Sequence, residues 1–155
     1  MENTRIEPAT IEDLPQLTEL LVELFSHESD FRPDRNKQMR GLRLILEQPN
    51  RGRIFVARNH SRILGMINLL ITISTAEGGF VLILEDLVIH RDFRGHGFGS
   101  QLLKHAVEFA HQKNFLRITL LTDRFTEESS QRFFKQHGFV ESSMVPMRLV
   151  LPSQP

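Results

Sequence analysis

The sequence predicts a single α/β domain in which a mixed sheet carries helices on both faces. Short apolar runs rich in β-branched residues alternate with amphipathic stretches whose apolar residues recur every three to four positions. One run, 80–89, is almost continuously apolar, as in a strand covered on both sides. A chain of 155 residues, 40% hydrophobic and 25% charged, suits one domain with one substantial core.

In chain order, Arg5, Ile6 and Glu7 suit a short first strand before Pro8. Thr10 with Asp13, or Asp13 with Gln16, can cap the helix that follows. Pro15 fits its first turn if Asp13 is the cap. Leu14, Leu17, Leu21, Leu24 and Phe25 form the apolar face. Residues 26–35 read as a polar loop. A second helix is expected over 36–48, with Met39, Leu42, Ile45 and Leu46 inward and Pro49 ending it. Strands at 54–57 and 63–71 flank the turn 58–62, a hairpin by composition. The loop 74–79 leads into the strand ending at Ile89. After Gly99 a helix is marked by Leu102, Leu103, Ala106 and Ala110, and a buried strand follows at 117–121. A last helix over 127–137 is stopped by Gly138 as a left-handed cap. Phe139-Val140 and 147–151 are expected to supply two closing strands, and 152–155 a frayed tail.

Composition excludes several classes of function. The formal net charge is +0, which gives no electrostatic case for nucleic acid or an acidic membrane as partner. The absence of cysteine removes a disulfide scaffold, a thiolate metal site and a covalent cysteine mechanism. Seven histidines show no metal spacing, so no metal is expected. The N-terminal residues lack the apolar run of a signal peptide and no stretch is long enough to span a bilayer, so a cytoplasmic location is expected.

The chemistry concentrates where the strand ending at Ile89 passes through a basic, glycine-dense turn into a helix. Such a junction leaves backbone N–H groups unpaired at the positive end of a helix dipole and suits an anion, usually phosphate. A P-loop would need a Lys that is missing here. The dinucleotide fingerprint would need glycine where Ser100 stands. What is present is Arg94-x-x-Gly97-x-Gly99.

This run resembles the pyrophosphate signature Arg/Gln-x-x-Gly-x-Gly/Ala of the GNAT superfamily of acyl-CoA-dependent N-acyltransferases. The opening Ile6 to Thr10 and the late Phe133-Phe134-Lys135-Gln136-His137-Gly138-Phe139 look like the outer landmarks of that superfamily, so the resemblance covers essentially residues 1–155. It implies a single GNAT-like domain whose sheet splays centrally. It also implies transfer from acetyl-CoA to a primary amine of a small molecule or peptide, in a ternary complex. On this reading the segment Arg94, Gly95, His96, Gly97, Phe98, Gly99 and Ser100 holds the pyrophosphate, with Arg94 adding charge. Leu87, Val88 and Ile89 present main-chain groups to the pantetheine. A homodimer is compatible with the resemblance, whereas nucleic-acid and membrane partners are not implied.

The acceptor amine must lose a proton, so a base is needed nearby. Glu85 and Asp86 are adjacent on the strand, and at most one is expected to face the acceptor. The resemblance implicates Glu85, either as a base acting through water or as a group that positions the amine. Asp86 reads as a buried carboxylate satisfied by backbone N–H groups. Family members often carry a Tyr to protonate the departing thiolate. Here Phe134 stands at that place, at the thioester end of the cofactor, and the chain has no tyrosine. The Asn that often opens the last helix is also missing from 123–128. Ser129, Ser130 or water could substitute. A thiol of pKa about 8.5, by analogy with Cys, also leaves readily unprotonated. Asp30, Asp34 and the first two helices border the acceptor side in the family, whereas the loop 74–79 either brings Glu77 to an acceptor or is a plain hairpin connection. The alternative function is a catalytically weak CoA-binding or sensing module that kept the cofactor site and lost the acid.

Overall fold

The structure, a computed structural model, describes residues 3–27, 30–122 and 128–153. The elements run β1 (Thr4–Pro8), α1 (Leu14–Phe25), α2 (Arg35–Leu46), β2 (Gly52–Asn59), β3 (Arg62–Ser74), β4 (Gly79–Ile89), α3 (Phe98–Gln112), β5 (Ile118–Leu120) and α4 (Glu128–Gln136). The sheet order is β1-β2-β3-β4-β5. The first four strands are antiparallel neighbours, and β5 joins β4 in parallel after the α3 crossover.

The two faces of this sheet bury separate apolar clusters. Leu14, Leu17, Leu21 and Leu42 from α1 and α2 pack on Ile54, Val56, Met66 and Val88. On the opposite face Leu102, Leu103, Ala106 and Phe134 from α3 and α4 pack on Phe55, Ile67, Leu69, Leu82 and Leu84. Residues 63–69 of β3 are buried on both sides and 81–84 of β4 nearly so, which explains the almost continuous apolar sequence of these stretches. The predicted α/β sandwich of one mixed sheet between helices is therefore the architecture observed.

Polar side chains fix the corners. The Thr10 N–H donates to Asp13 Oδ2 at 2.9 Å, closing the short turn before α1. Asp13 also receives two bonds from Arg58, at 2.9 and 2.7 Å, and Arg58 reaches Glu7 as well. Gln16 does not serve as a capping partner. Its amide instead latches the β2–β3 hairpin through Ser61 O and the Ile63 N–H, at 3.0 and 2.8 Å. Asp34 caps α2, accepting from the Lys37 N–H at 3.2 Å. Gly138 ends α4 with φ 90° as expected, and the Phe139 N–H returns to Phe134 O.

One expectation is corrected. The closing strands at Phe139-Val140 and 147–151 do not form, and neither segment pairs with the sheet. Strand propensity yields a ladder only where an edge is presented. Phe139 still packs on Phe134, but residues 140–151 are exposed, and Arg148 meets Asp30 at 3.2 Å and the ring of Phe31 at 5.2 Å. The expected start of the last helix at Glu127 and the run 123–127 lie outside the described residues.

Candidate active site at the end of the fourth strand

Strands β4 and β5 diverge halfway along β4. Their pairing covers Leu82, Ile83 and Leu84 and goes no further. Beyond Leu84 no strand among the described residues pairs with the edge of β4 that faced β5, so main-chain groups of Glu85 to Ile89 on that side are available to an extended ligand. A bulge sits at the same place. Asn68 opposes Asp86 and Leu69 opposes Leu84, so Glu85 has no opposite number on β3. Bulges of this kind bend a strand and re-aim its side chains. The splay and the bulge together open the sheet at one point.

The side chains of the three residues after the bulge are structural. Val88 is buried on the α1–α2 face, and Leu87 and Ile89 pack toward the α3–α4 cluster. What they can offer a ligand is main chain. His90 then opens a short turn, accepting on Nδ1 from the Asp92 N–H at 3.1 Å. Gly97 has φ 85° and caps α3 from the left-handed region, where a side chain would be strained. The first backbone bond of α3 runs from the Gln101 N–H to Gly97 O, so the N–H groups of Phe98, Gly99 and Ser100 have no intrahelical acceptor. Gly99 is helical, and a Cβ there would come no closer than 3.6 Å, to Phe133. The protein itself does not require glycine at 99, whereas close approach of a ligand would.

Arg94 is half-exposed and already partnered. Its Nε donates to Ile89 O at 3.0 Å, and its guanidinium reaches Glu23 of α1 at 3.4 Å. It fastens the turn to both β4 and α1 and leaves one side of the guanidinium toward solvent. Gly95 and His96 are exposed beside it, while the Phe98 side chain enters the core.

The two acidic residues separate cleanly. Glu85 is exposed at the bulge and Asp86 is 7% exposed. Asp86 is held by a side chain rather than by backbone N–H groups, a correction to the expectation from sequence. Asn68 Nδ2 donates to it at 2.9 Å. Burial pushes the Asp86 carboxyl up; the Asn68 bond opposes this and the nearby charge of Glu85 adds to it, leaving the pKa at about 6. Asn68 Oδ1 is buried and has no hydrogen-bond partner among the described residues.

From α4, Phe134 lies in the core cluster, 9% exposed and edge-on to Phe133 and Phe139. Its neighbours Phe133 and His137 approach the start of α3 instead. Phe133 lies beside Gly99, and His137 Nε2 is 3.0 Å from Ser100 Oγ. The sequence marks both residues only as part of the late landmark run and gives neither a site role, because aromatic spacing alone does not say which ring faces the site. Of the outlying acids, Asp34 is a helix cap, Asp30 pairs with Arg148 and Glu77 with Arg117. No cluster of metal-ligating side chains occurs among the described residues. Shallow concavities on α4 and between β2 and α3 include no residue of the β4–α3 junction.

A strand that splays from its parallel neighbour and ends in a glycine-rich helix N-terminus is the arrangement implied by the motif. Residues 14–139 match the acetyltransferase (GNAT) family. The chain belongs to the GNAT family. An aminoalkylphosphonate N-acetyltransferase of Salmonella typhimurium is 29% identical over 134 residues, covering 86% of this chain and 83% of that one. The fold superposes on the structure of a possible acetyltransferase from Clostridium difficile 630 with a TM-score of 0.87 at 14% identity, covering 98% and 100% of the two chains. A metagenomic soil aminoglycoside acetyltransferase, solved with sisomicin, superposes at 0.76 with 21% identity, covering 97% of each. In this GNAT chain no helix among the described residues is long and apolar enough to cross a membrane.

Proposed function

We propose that this chain is a cytoplasmic N-acetyltransferase that moves the acetyl group of acetyl-CoA directly to a primary amine of a small molecule or peptide, both substrates being bound together. The observation that carries the reading is the open β4 edge continuous with the free N–H groups at the start of α3. Bound acetyl-CoA supplies an activated thioester. Gly95 to Ser100 offer backbone donors to its pyrophosphate, with Arg94 beside them, and the α3 dipole favours the negative charge. The main chain of Leu87 to Ile89 orients the pantetheine as an added strand would be oriented. Glu85 accepts the ammonium proton on a carboxylate oxygen, directly or through one water. Phe134, 9% exposed in the core, would meet the thioester end of the cofactor only with the small part of its ring left uncovered. With no tyrosine in the chain, the departing thiolate is protonated by solvent, at little cost for a thiol of pKa about 8.5. The named activities of the relatives support a small amine as acceptor.

The test is release of free thiol from acetyl-CoA across a panel of aminoalkylphosphonates, aminoglycosides, polyamines and peptide amines. The cysteine-free chain contributes no background. Turnover with at least one amine is expected. The missing tyrosine favours the second reading, a CoA-sensing module, which predicts CoA binding by calorimetry without thiol release from any amine.

A further inference from the structure

The glycine turn that leads into α3 offers main chain almost everywhere and a side-chain hydroxyl at one place. Within 94–100, Ser100 is the one hydroxyl residue. It is the third residue of α3, behind a glycine cap that brings no side-chain acceptor, so its own N–H is among those left free. A serine hydroxyl within a helix often turns back to a carbonyl of the preceding turn. Among the described residues Ser100 makes no such bond. Its Oγ stands 3.0 Å from Nε2 of His137, 37 residues further along the chain.

His137 is placed for this contact by the end of α4. Its N–H donates to Phe134 O at 3.0 Å, and Gly138, with φ 90°, closes the helix directly behind it. The imidazole leans on Phe133, with ring centroids 4.8 Å apart, and Phe133 in turn lies beside Gly99. Phe134, in the core, meets Phe133 edge-on at 5.2 Å and holds it there. The backbone and the ring of His137 are therefore both fixed before any ligand arrives. Ser100 and His137 are half-buried, so water competes less for the bond between them than it would on an open surface.

On the reading of the β4–α3 junction as the acetyl-CoA site, we propose that His137 is a positioning residue for the cofactor. It donates from Nε2 to Ser100 Oγ, which leaves the serine hydroxyl hydrogen to donate to a pyrophosphate oxygen. A hydroxyl has one hydrogen to give and lone pairs with which to accept, so the imidazole tautomer decides what Ser100 shows to a ligand. With the proton on Nε2, Oγ accepts from His137 and its hydrogen is free. With Nε2 bare, that hydrogen is drawn to the imidazole and only lone pairs are left to face an anion. The first arrangement adds a hydroxyl donor to the free N–H groups of Phe98, Gly99 and Ser100, and a donor aimed at a charged oxygen makes the stronger kind of hydrogen bond. The imidazole also polarises the hydroxyl it donates to, because hydrogen bonds in a chain strengthen one another. His137 acts through Ser100 and has no part in the chemistry at the thioester.

Calorimetry of CoA binding to single and double variants tests the pairing. Ser100→Ala should weaken binding roughly tenfold, the lower end for a hydrogen bond to a charged group. His137→Leu keeps bulk against Phe133 and removes the donor, and should weaken binding by nearly as much. The Ser100→Ala/His137→Leu double variant should bind no more weakly than Ser100→Ala, because both changes remove one shared interaction. His137→Gln sets an amide N–H near the place of Nε2 and should recover most of the affinity. Nitrogen-15 spectra of the histidine-labelled chain, with the His137 signal assigned from its absence in His137→Gln, should show Nε2 carrying a proton in the CoA complex. Losses that add in the double variant would make His137 a prop for α4 and overturn the proposal, as would a bare Nε2 in the complex. Full affinity in folded His137→Leu beside a weakened Ser100→Ala would overturn it too, while leaving the cofactor site standing. No CoA binding by the native chain would instead remove the site itself.

Discussion

Adjacent residues at the bulge, Glu85 and Asp86, have the same chemistry in sequence and opposite settings in the fold. Glu85 is exposed at the splay, so replacing it by Gln should leave stability unchanged. If it is the base, Glu85→Gln should lower kcat/KM roughly 10²–10⁴-fold, most at low pH where the amine is most protonated. A loss confined to KM would make it a binding group instead. Asp86 predicts a stability effect. Its folded pKa of about 6 lies above the ordinary 3.8, so between about pH 4 and 6 the native state holds a proton that the unfolded chain has released. Stability from this group is therefore full below pH 4 and falls as pH rises to 6, by on the order of 3 kcal/mol. Asp86→Asn removes that slope and offers an N–H to the unpartnered Asn68 Oδ1. At pH 8 the variant should melt no lower than the native chain. A lower Tm across the whole range from pH 4 to 8 would show that ionised Asp86 has a stabilising partner.

At the scale of elements, Arg94 is a fastening as well as a charge. Its bonds to Ile89 O and Glu23 hold the glycine turn against β4 and α1. Arg94→Glu removes a cation and sets two carboxylates side by side. Acetyl-CoA affinity should drop roughly ten- to a hundredfold, the equivalent of about 1.5–3 kcal/mol for a lost charged hydrogen bond. Glu23→Gln keeps the cation and weakens only the fastening, so its loss should be the smaller by calorimetry. Equal affinity for folded Arg94→Glu and the native chain would withdraw Arg94 from the binding site.

For the molecule as a whole, the clasp of Arg58 with Asp13 and Glu7 ties β1, the turn before α1 and β2 into one corner. Burial pushes the Asp13 carboxyl up, but bonds from Arg58 and the Thr10 N–H outweigh it and hold Asp13 below the usual carboxylate range. The sign is opposite to that of Asp86. This stability is present above the ordinary pKa of 3.8 and is lost as pH falls through the lowered folded value. Arg58→Met leaves Asp13 buried without its partner and should cost about 3 kcal/mol at pH 7, seen as a lower urea midpoint. The penalty should shrink below pH 4, where Asp13 takes up a proton. An equal penalty at pH 3 and pH 7 would mean that the packing of Arg58, not its charge, is what matters.

The sequence by itself determined the class of fold, the order of elements through α4 and the motif at the β4–α3 junction. Each depends on local facts: period 3.6 against period 2, a proline or glycine at an element end, a left-handed glycine at a cap. Only the tertiary structure decided what depends on neighbours from elsewhere in the chain. Strand alternation separates Glu85 from Asp86, but only the fold leaves Glu85 exposed and unopposed, at the one-residue slip between Asn68 and Leu69, and buries Asp86. Asp86 is satisfied by Asn68, eighteen residues away, a partner that no local pattern reveals. Phe134 faces the core while Phe133 and His137 face the start of α3, which follows from how α4 is rotated on the sheet. The segments at Phe139-Val140 and 147–151 have strand sequence but no strand, because a strand exists only beside an edge, and among the described residues neither segment pairs with one.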